Sequence, residues 1–454
     1  MKRVKPFAIL LTMIFLAVGV LSGCAGKDKS NGTDGPTPTP AETSDGTPDT
    51  TNDATPEPTE EVIPHETLEN PNITIVYWMS MKSYEGQVAR DPNVYDPILD
   101  AVKPFEEKYG GTVTIKAVGW NDMLSTMTQM QNAGTAPDLV EVYDRTFHSV
   151  VLNNFVQPID QYVTDADFSF YDVSRDLVSW KGQTYAIPIK PYLYYIMFNR
   201  DMFEMEGLTA PDELFRQGLW DFDHFEEVSK ALTRRVDGEL VQYAFTSWSE
   251  TIDAFIISNG GGIVKVDSGA GKVYSALSDS KTQNALTQIS RWVDATNGFM
   301  VVSDIDYYSF DNNICAMIRG KDFPVDLPFE VGMVPIPAGP DAPPKTIYLY
   351  PQAFAIPVGA ANPEGAAAFM YMVNQRQKEV GDQKEANRIG QENYDMIYAD
   401  DVNYVYSYDK GIDNFDHIHS SIINYMSDGM PAATIAETME SELKAGIEKV
   451  FGAQ

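Results

Sequence analysis

Between residues 72 and 143 the spacing of apolar positions switches back and forth between the two-residue period of a strand and the roughly 3.6-residue period of a helix. Residues 72–78 (NITIVYW) read as a strand of β-branched and aromatic residues. Residues 96–109 (DPILDAVKPFEEKY) place their apolar side chains at helical spacing, and Gly110 with Gly111 ends them. Residues 112–118 (TVTIKAV) form a second strand, 120–133 (WNDMLSTMTQMQNA) a second helix with Gly134 just beyond, and 137–143 (PDLVEVY) a third strand. The segment after Trp78 (MSMKSYEG) reads as a polar loop. Such alternation predicts an α/β fold on a mostly parallel sheet. In sheets of that kind ligands bind beyond the carboxyl ends of the strands.

The globular pattern continues for about 380 residues, too many for one core, so two lobes are expected. What precedes residue 72 is different. Lys2, Arg3 and Lys5 form a basic start, and residues 7–20 (FAILLTMIFLAVGV) are almost wholly apolar. That run is short of the ~20 residues of a spanning helix, and with its basic flank it reads as an export signal over residues 1–23. Cys24 directly follows Leu21-Ser22-Gly23, which resembles the bacterial lipobox, whose Cys is lipidated and becomes the mature N-terminus. Residues 25–71 are Thr, Pro, Gly, Asp, Glu, Asn and Ser with almost nothing apolar; eleven acids against Lys27 and Lys29 give −9. This composition cannot bury enough surface to order itself, and Pro and like charges keep it extended. Residues 24–71 are therefore a lipidated Cys and a linker that tethers the globular part outside the membrane.

The net charge of −32 argues against nucleic acid or an anionic lipid surface as partner. Only Cys315 accompanies Cys24, so no intramolecular disulfide and no Cys-rich zinc site is expected; within ICAMI, Cys315 reads as a core residue. Residues 165–170 (DADFSF) begin like a calcium loop but lack the Gly that its sixth position needs. Gly260-Gly261-Gly262 is followed by no Lys-Ser/Thr, so it is not a phosphate loop. No Gly-x-Ser-x-Gly, His-Glu-x-x-His or Cys-x-x-Cys occurs. Neither metal, cofactor nor catalytic residue is expected. Carboxylates are plentiful, so an acid pair for glycoside hydrolysis is not excluded by counting.

Seven short segments, in order, carry a family resemblance. They are Gly134-Thr135-Ala136-Pro137-Asp138, residues 154–160 (NFVQPID), 182–188 (GQTYAIP), 198–203 (FNRDMF), 220–225 (WDFDHF), 310–320 (FDNNICAMIRG) and 332–339 (GMVPIPAG). Together they resemble the solute-binding proteins of bacterial carbohydrate ABC importers, the maltose-binding-protein-like family. Asn312 and Asn313 stand where that pattern has a Gly, and residues 382–408 match no part of it. The resemblance implies a two-lobed periplasmic-binding-protein-like fold with discontinuous domains around a cleft. Lobe one would be 72–188 plus 350–395, and lobe two 189–349 plus 396–454, with crossovers near Pro188 and Tyr348. It implies a monomeric lipoprotein on the extracellular face of a Gram-positive cell membrane. This protein would pass a sugar or oligosaccharide to the permease subunits and is not itself an enzyme. A surface glycoside hydrolase or lyase, and a sensor partner presenting sugar with the same fold, are the alternatives.

Sugars offer apolar C–H faces and polar hydroxyl rims, so their sites need flat rings for stacking with carboxylates, amides and Arg around them. The chain has 24 Tyr and 6 Trp. Trp78 follows the first strand, Trp120 with Asp122 the second, and Tyr143, Asp144 and Arg145 the third. A parallel sheet brings all of these to one edge. From the second lobe, Tyr192, Tyr194, Trp248, Glu250 and Tyr350 are the expected ligand contacts, with Asp253, Tyr348 and Gln352 nearby. Tyr192 and Tyr194 share one face of a strand, as do Tyr348 and Tyr350. Asp221 reads as a helix N-cap with Trp220 packed against its helix, and Trp292 as core.

Overall fold

Every second or third side chain of Ile73–Tyr77, Val113–Ala117 and Leu139–Val142 is apolar, and these segments pair in parallel to open the first sheet. The computed structural model describes residues 65–171, 175–294, 296–302, 307–320, 327–407 and 411–452. The export signal, Cys24 and the linker up to residue 64 lie outside the described residues. Ala353–Ala355 then inserts antiparallel beside Leu139–Val142, and Ala186–Pro188 pairs antiparallel on its other side. Four of the five strands thus run the same way, as a mostly parallel sheet requires, and Ala353–Ala355 runs against them. Its late strand returns from the second lobe and enters at the cleft end, so it must run the opposite way.

The helix Pro97–Tyr109 packs its buried Ile98, Leu99, Val102 and Phe105 on this sheet beside the later helix Pro363–Arg376. Asp96 caps it by accepting from Leu99 N–H at 2.9 Å, and Gly110 ends it at φ 76°. Asp138 is structural: it accepts from the N–H of Thr74 and of Asn362, both at 2.8 Å, tying the sheet to the start of Pro363–Arg376. The segment after Trp78 is a helix, Met81–Val88, instead of a loop. Ser80 caps it at Ser83 N–H, and Met81, Tyr84 and Val88 lie on one side at spacings of three and four. The helix expected over 120–133 begins as a single 3-10 turn, Trp120–Asp122, before Met123–Asn132.

The second sheet is ordered Met300–Val302, Glu239–Ser247, Cys315–Arg319, Tyr195–Asn199, Val331–Pro335. Its first three strands are parallel and its last two join antiparallel. Trp292 is fully buried against Phe222, Phe225, Phe255 and Phe299, with ring centroids between 4.9 and 6.0 Å. Asp221 caps the helix Phe222–Leu232 through His224 N–H at 2.9 Å, while the Trp220 ring meets Phe225 four residues into the helix. Cys315 is buried in the central strand.

Two crossovers join the sheets side by side. Ile189 N–H donates to Gln352 O at 3.0 Å, and Tyr192–Leu193 pairs antiparallel with the end of Thr346–Tyr350, setting Tyr192 opposite Tyr350. Residues 382–398, unplaced by sequence, brace this junction. Lys190 sits 2.7 Å from Asp382 and 2.6 Å from Glu385, over the rings of Tyr398 and Tyr394 at 4.3 and 4.9 Å. The C-terminal helices Phe415–Ser427 and Ala432–Phe451 pack with Ser280–Val293 of the second lobe.

Candidate ligand-binding cleft

The carboxyl ends of Val113–Ala117 and Leu139–Val142 face the second sheet across a cleft of about 1250 Å³. The first lobe contributes Trp120, Asn121, Tyr143, Asp144 and Arg145. The crossovers supply Tyr192, Tyr194, Tyr350 and Gln352, and the second lobe Trp248, Ser249, Glu250, Val302 and Arg319. One face of the helix Phe415–Ser427 adds Asp416, His419, Ser420, Ile423 and Asn424.

Nine of the eleven residues expected from sequence therefore meet in one cavity. Trp78 and Asp122 are outside its lining. Trp78 is 41 % exposed and stands one ring further out, its centroid 6.4 Å from that of Trp120. Asp122 is turned back by the 3-10 turn, so that a Cβ on Gly119 would meet its carboxylate. Of the neighbouring candidates, Asp253 lies buried 2.9 Å from His419, and Tyr348 is buried against Tyr194. Sequence reading missed Arg319 and the polar face of Phe415–Ser427. The signal for that face was available: Asp416, His419 or Ser420, and Ile423 or Asn424 recur at helical spacing.

Aromatic rings form one wall in steps. Trp120 and Tyr143 lie 5.3 Å apart on the first lobe, and Tyr194 is 6.3 Å from Tyr350 at the crossovers. Arg319 lies over both Tyr194 and Trp248, its guanidinium carbon 4.6 and 5.0 Å from their centroids. It is placed at the cleft edge of the central strand because the next residue is Gly320, where a Cβ would fall 1.9 Å from the Tyr195 ring.

The charged groups are mostly spoken for. Tyr350 donates its hydroxyl to Asp144 at 2.8 Å. Arg145 reaches across the cleft to hydrogen-bond Asp416, with Glu250 3.7 Å away. Burial works against the Arg145 charge, but Asp416, with Asp144 and Glu250 behind it, outweighs burial and raises its pKa. Behind the cleft floor, Gln352 donates to buried Glu141 at 3.0 Å. Burial first, then the charge of Asp96, pushes the Glu141 carboxyl up to about 8. Asp96, itself buried and hydrogen-bonded by the Tyr77 hydroxyl at 2.9 Å, is pushed up to about 6 by burial. Among the described residues no cluster of three or more His, Cys, Asp or Glu side chains is placed to hold a metal ion. The arrangement offers flat rings on which an apolar face can stack and polar side chains that can hydrogen-bond around it.

Known proteins agree with this geometry. An ABC substrate-binding protein of Listeria monocytogenes, solved with cycloalternan, superposes with a TM-score of 0.61 at 16 % identity, covering 84 % of this chain and 99 % of that one. A cyclo/maltodextrin-binding protein solved with maltotetraose gives 0.61 at 14 % identity, over 84 % and 98 % of the two chains. UgpB of Mycobacterium tuberculosis, solved with glycerophosphocholine, gives 0.61 at 15 % identity, over 83 % and 99 %. At these identities the likeness establishes the fold, a two-lobed periplasmic-binding-protein-like one. A protein of Brucella abortus (strain 2308) named as a binding protein is 30 % identical over 119 residues, which is 25 % of this chain and only 29 % of that protein. Residues 100–380, well over half of the sequence, match the model of the bacterial extracellular solute-binding protein family, whose members bind solutes and are not enzymes. The chain belongs to the family of bacterial extracellular solute-binding proteins.

Proposed function

We propose that this protein is the lipid-anchored substrate-binding component of an ABC importer, capturing a sugar or oligosaccharide outside the cell and delivering it to the permease. The observation that carries this reading is the cleft itself, in which stepped aromatic rings and hydrogen-bonding side chains face each other from two sheets joined at a paired crossover. Neighbours of the same fold were solved with cycloalternan and with maltotetraose, and a third with glycerophosphocholine. The working parts are lobe one, 72–188 plus 350–395, and lobe two, 189–349 plus 396–454, moving about the crossovers as a monomer. A ligand touching both lobes gains contacts on closure, so it shifts the population toward the closed form. The ligand contacts are Trp120, Tyr143, Asp144, Arg145, Tyr192, Tyr194, Trp248, Glu250 and Tyr350, with Trp78 as an outer stacking ring.

The test is a thermal-shift screen of the protein against mono-, di- and oligosaccharides, peptides and polyamines. A ligand of the folded state adds ~2.7 kcal/mol at a hundred times its Kd. A saturable shift from a sugar is expected; silence from every sugar with a shift from a peptide would overturn the reading. Trp78→Ala combined with Trp120→Ala should weaken the binding of that sugar roughly 10- to 100-fold, two rings at about 0.5–1.5 kcal/mol each beyond lost area. The melting point should hold, since Trp120 is 39 % exposed and Trp78 more so. Unchanged affinity in calorimetry would remove these rings from the site.

Anchoring has its own test. Cys24→Ser should abolish incorporation of an alkyne-labelled palmitate and release the protein into the medium. Each acyl CH₂ buried in the membrane contributes ~0.8 kcal/mol. A Cys24→Ser protein that stays on the membrane would refute lipidation at this residue.

A further inference from the structure

We propose that the ligand of this cleft carries an oxyanion, a carboxylate or phosphate on a sugar-like body, and that it seats on Arg319; this rests on the sugar-binding reading above. Arg319 is the last residue of the central strand Cys315–Arg319 and lines the cleft, yet it is only 8 % exposed. Among the described residues its guanidinium has no hydrogen-bond or ion-pair partner, and its Nε is fully buried. Its contacts are with the faces of Tyr194 and Trp248. Rings attract the charge of a guanidinium but accept none of its five N–H donors in the plane.

The contrast with Arg145 sharpens the point. That cation, on the opposite lobe, is matched by Asp416 and Glu250. The remaining acid of the lining, Asp144, accepts the Tyr350 hydroxyl. Among the described residues, the carboxylates that line the cleft are thus engaged away from Arg319, in a chain with 65 acids against 33 bases. A buried charge without a partner is costly, and folding alone would favour an apolar side chain at this position. The guanidinium, against two rings in the lining of the cleft, instead keeps a donor edge that no described residue uses. A carboxylate or phosphate takes that edge with two parallel hydrogen bonds and cancels the charge; a neutral hydroxyl does only the first.

Isothermal titration of the protein with matched pairs tests this: glucose against glucuronate and glucose 6-phosphate, and galactobiose against digalacturonate. The oxyanion-bearing member should bind at least ~30-fold more tightly, the scale on which a buried charge pair discriminates. The uronate and phosphate arms identify which oxyanion fits. Arg319→Met should erase the preference while melting at or above the wild type, because it removes an unpaired buried charge. A structural Arg319 would instead lower the melting point and leave the preference intact. Should the variant not fold, the matched pairs on the wild type still decide. Neutral members binding as well as or better than acidic ones would overturn the oxyanion and leave sugar capture standing. Binding of no sugar in either series, with silence from every sugar in the wider thermal-shift screen, would bring down both.

Discussion

Glu141→Gln should make the protein markedly more stable at pH 8 and leave it little changed at pH 4. The carboxyl ordinarily ionises near 4.5, but in the folded chain it is pushed up to about 8, first by burial and then by the Asp96 charge. Between those two values the folded state keeps a proton that the unfolded state has released. The stability this group contributes is therefore fully present below about 4.5 and is lost as pH rises to about 8. Each unit corresponds to about 1.36 kcal/mol, so the loss over this window is on the order of 5 kcal/mol. Asp96, pushed up to about 6, adds a similar slope at lower pH. The amide of Gln keeps the hydrogen bond from Gln352 and has no proton to lose. Chemical unfolding of both proteins from pH 4 to 8 checks this through their difference, which cancels the general repulsion of a chain at −32. Parallel pH profiles would show that Glu141 is ionised without penalty.

Lys190→Met should cost about 2–4 kcal/mol at pH 7. The ammonium is 8 % exposed and faces Asp382 and Glu385, which are 19 and 29 % exposed. Removing one partner of a buried ion pair strands the other charge and costs about 3–5 kcal/mol; partial access to water for both acids brings that down. Burial lowers the Lys190 pKa, but Glu385 and Asp382 more than reverse it and leave it raised. A raised lysine stabilises fully below its ordinary value near 10.5 and loses that contribution only as pH climbs through the higher folded value. The whole effect is thus present at neutral pH. A loss under about 0.5 kcal/mol in urea titration, the range of an exposed pair, would show that the clamp on the crossover is idle.

The cleft was legible where local pattern and topology coincide. Tyr143, Asp144 and Arg145 follow an unmistakable strand, and a parallel arrangement must deliver them to the same edge as Trp120. Trp78 and Asp122 obeyed the same rule but not the same geometry, because one extra turn decides which way a side chain leaves a strand end. Arg319 was hidden in plain view at the end of ICAMIR, since nothing local says that no carboxylate among the described residues pairs with it. Absence of a partner is a property of the whole fold. The same holds for Lys190, whose clamp lies 192 and 195 positions away in sequence in a segment without recognisable pattern. That Ala353–Ala355 runs against the other strands of its sheet was not legible, because so short a strand carries no sign of direction; only its point of entry sets that.

That short strand also sets a timetable for synthesis. It fills the gap between Leu139–Val142 and Ala186–Pro188, yet it is made long after both. Every strand of the second sheet lies between residues 195 and 335, so that sheet can close while the first still waits for its middle piece. A growing chain between residues 189 and 352 therefore carries two bare strand edges at once, each a template for pairing with another chain. Long-range pairing of this kind is slow, and it is in that interval that a chaperone has most to protect.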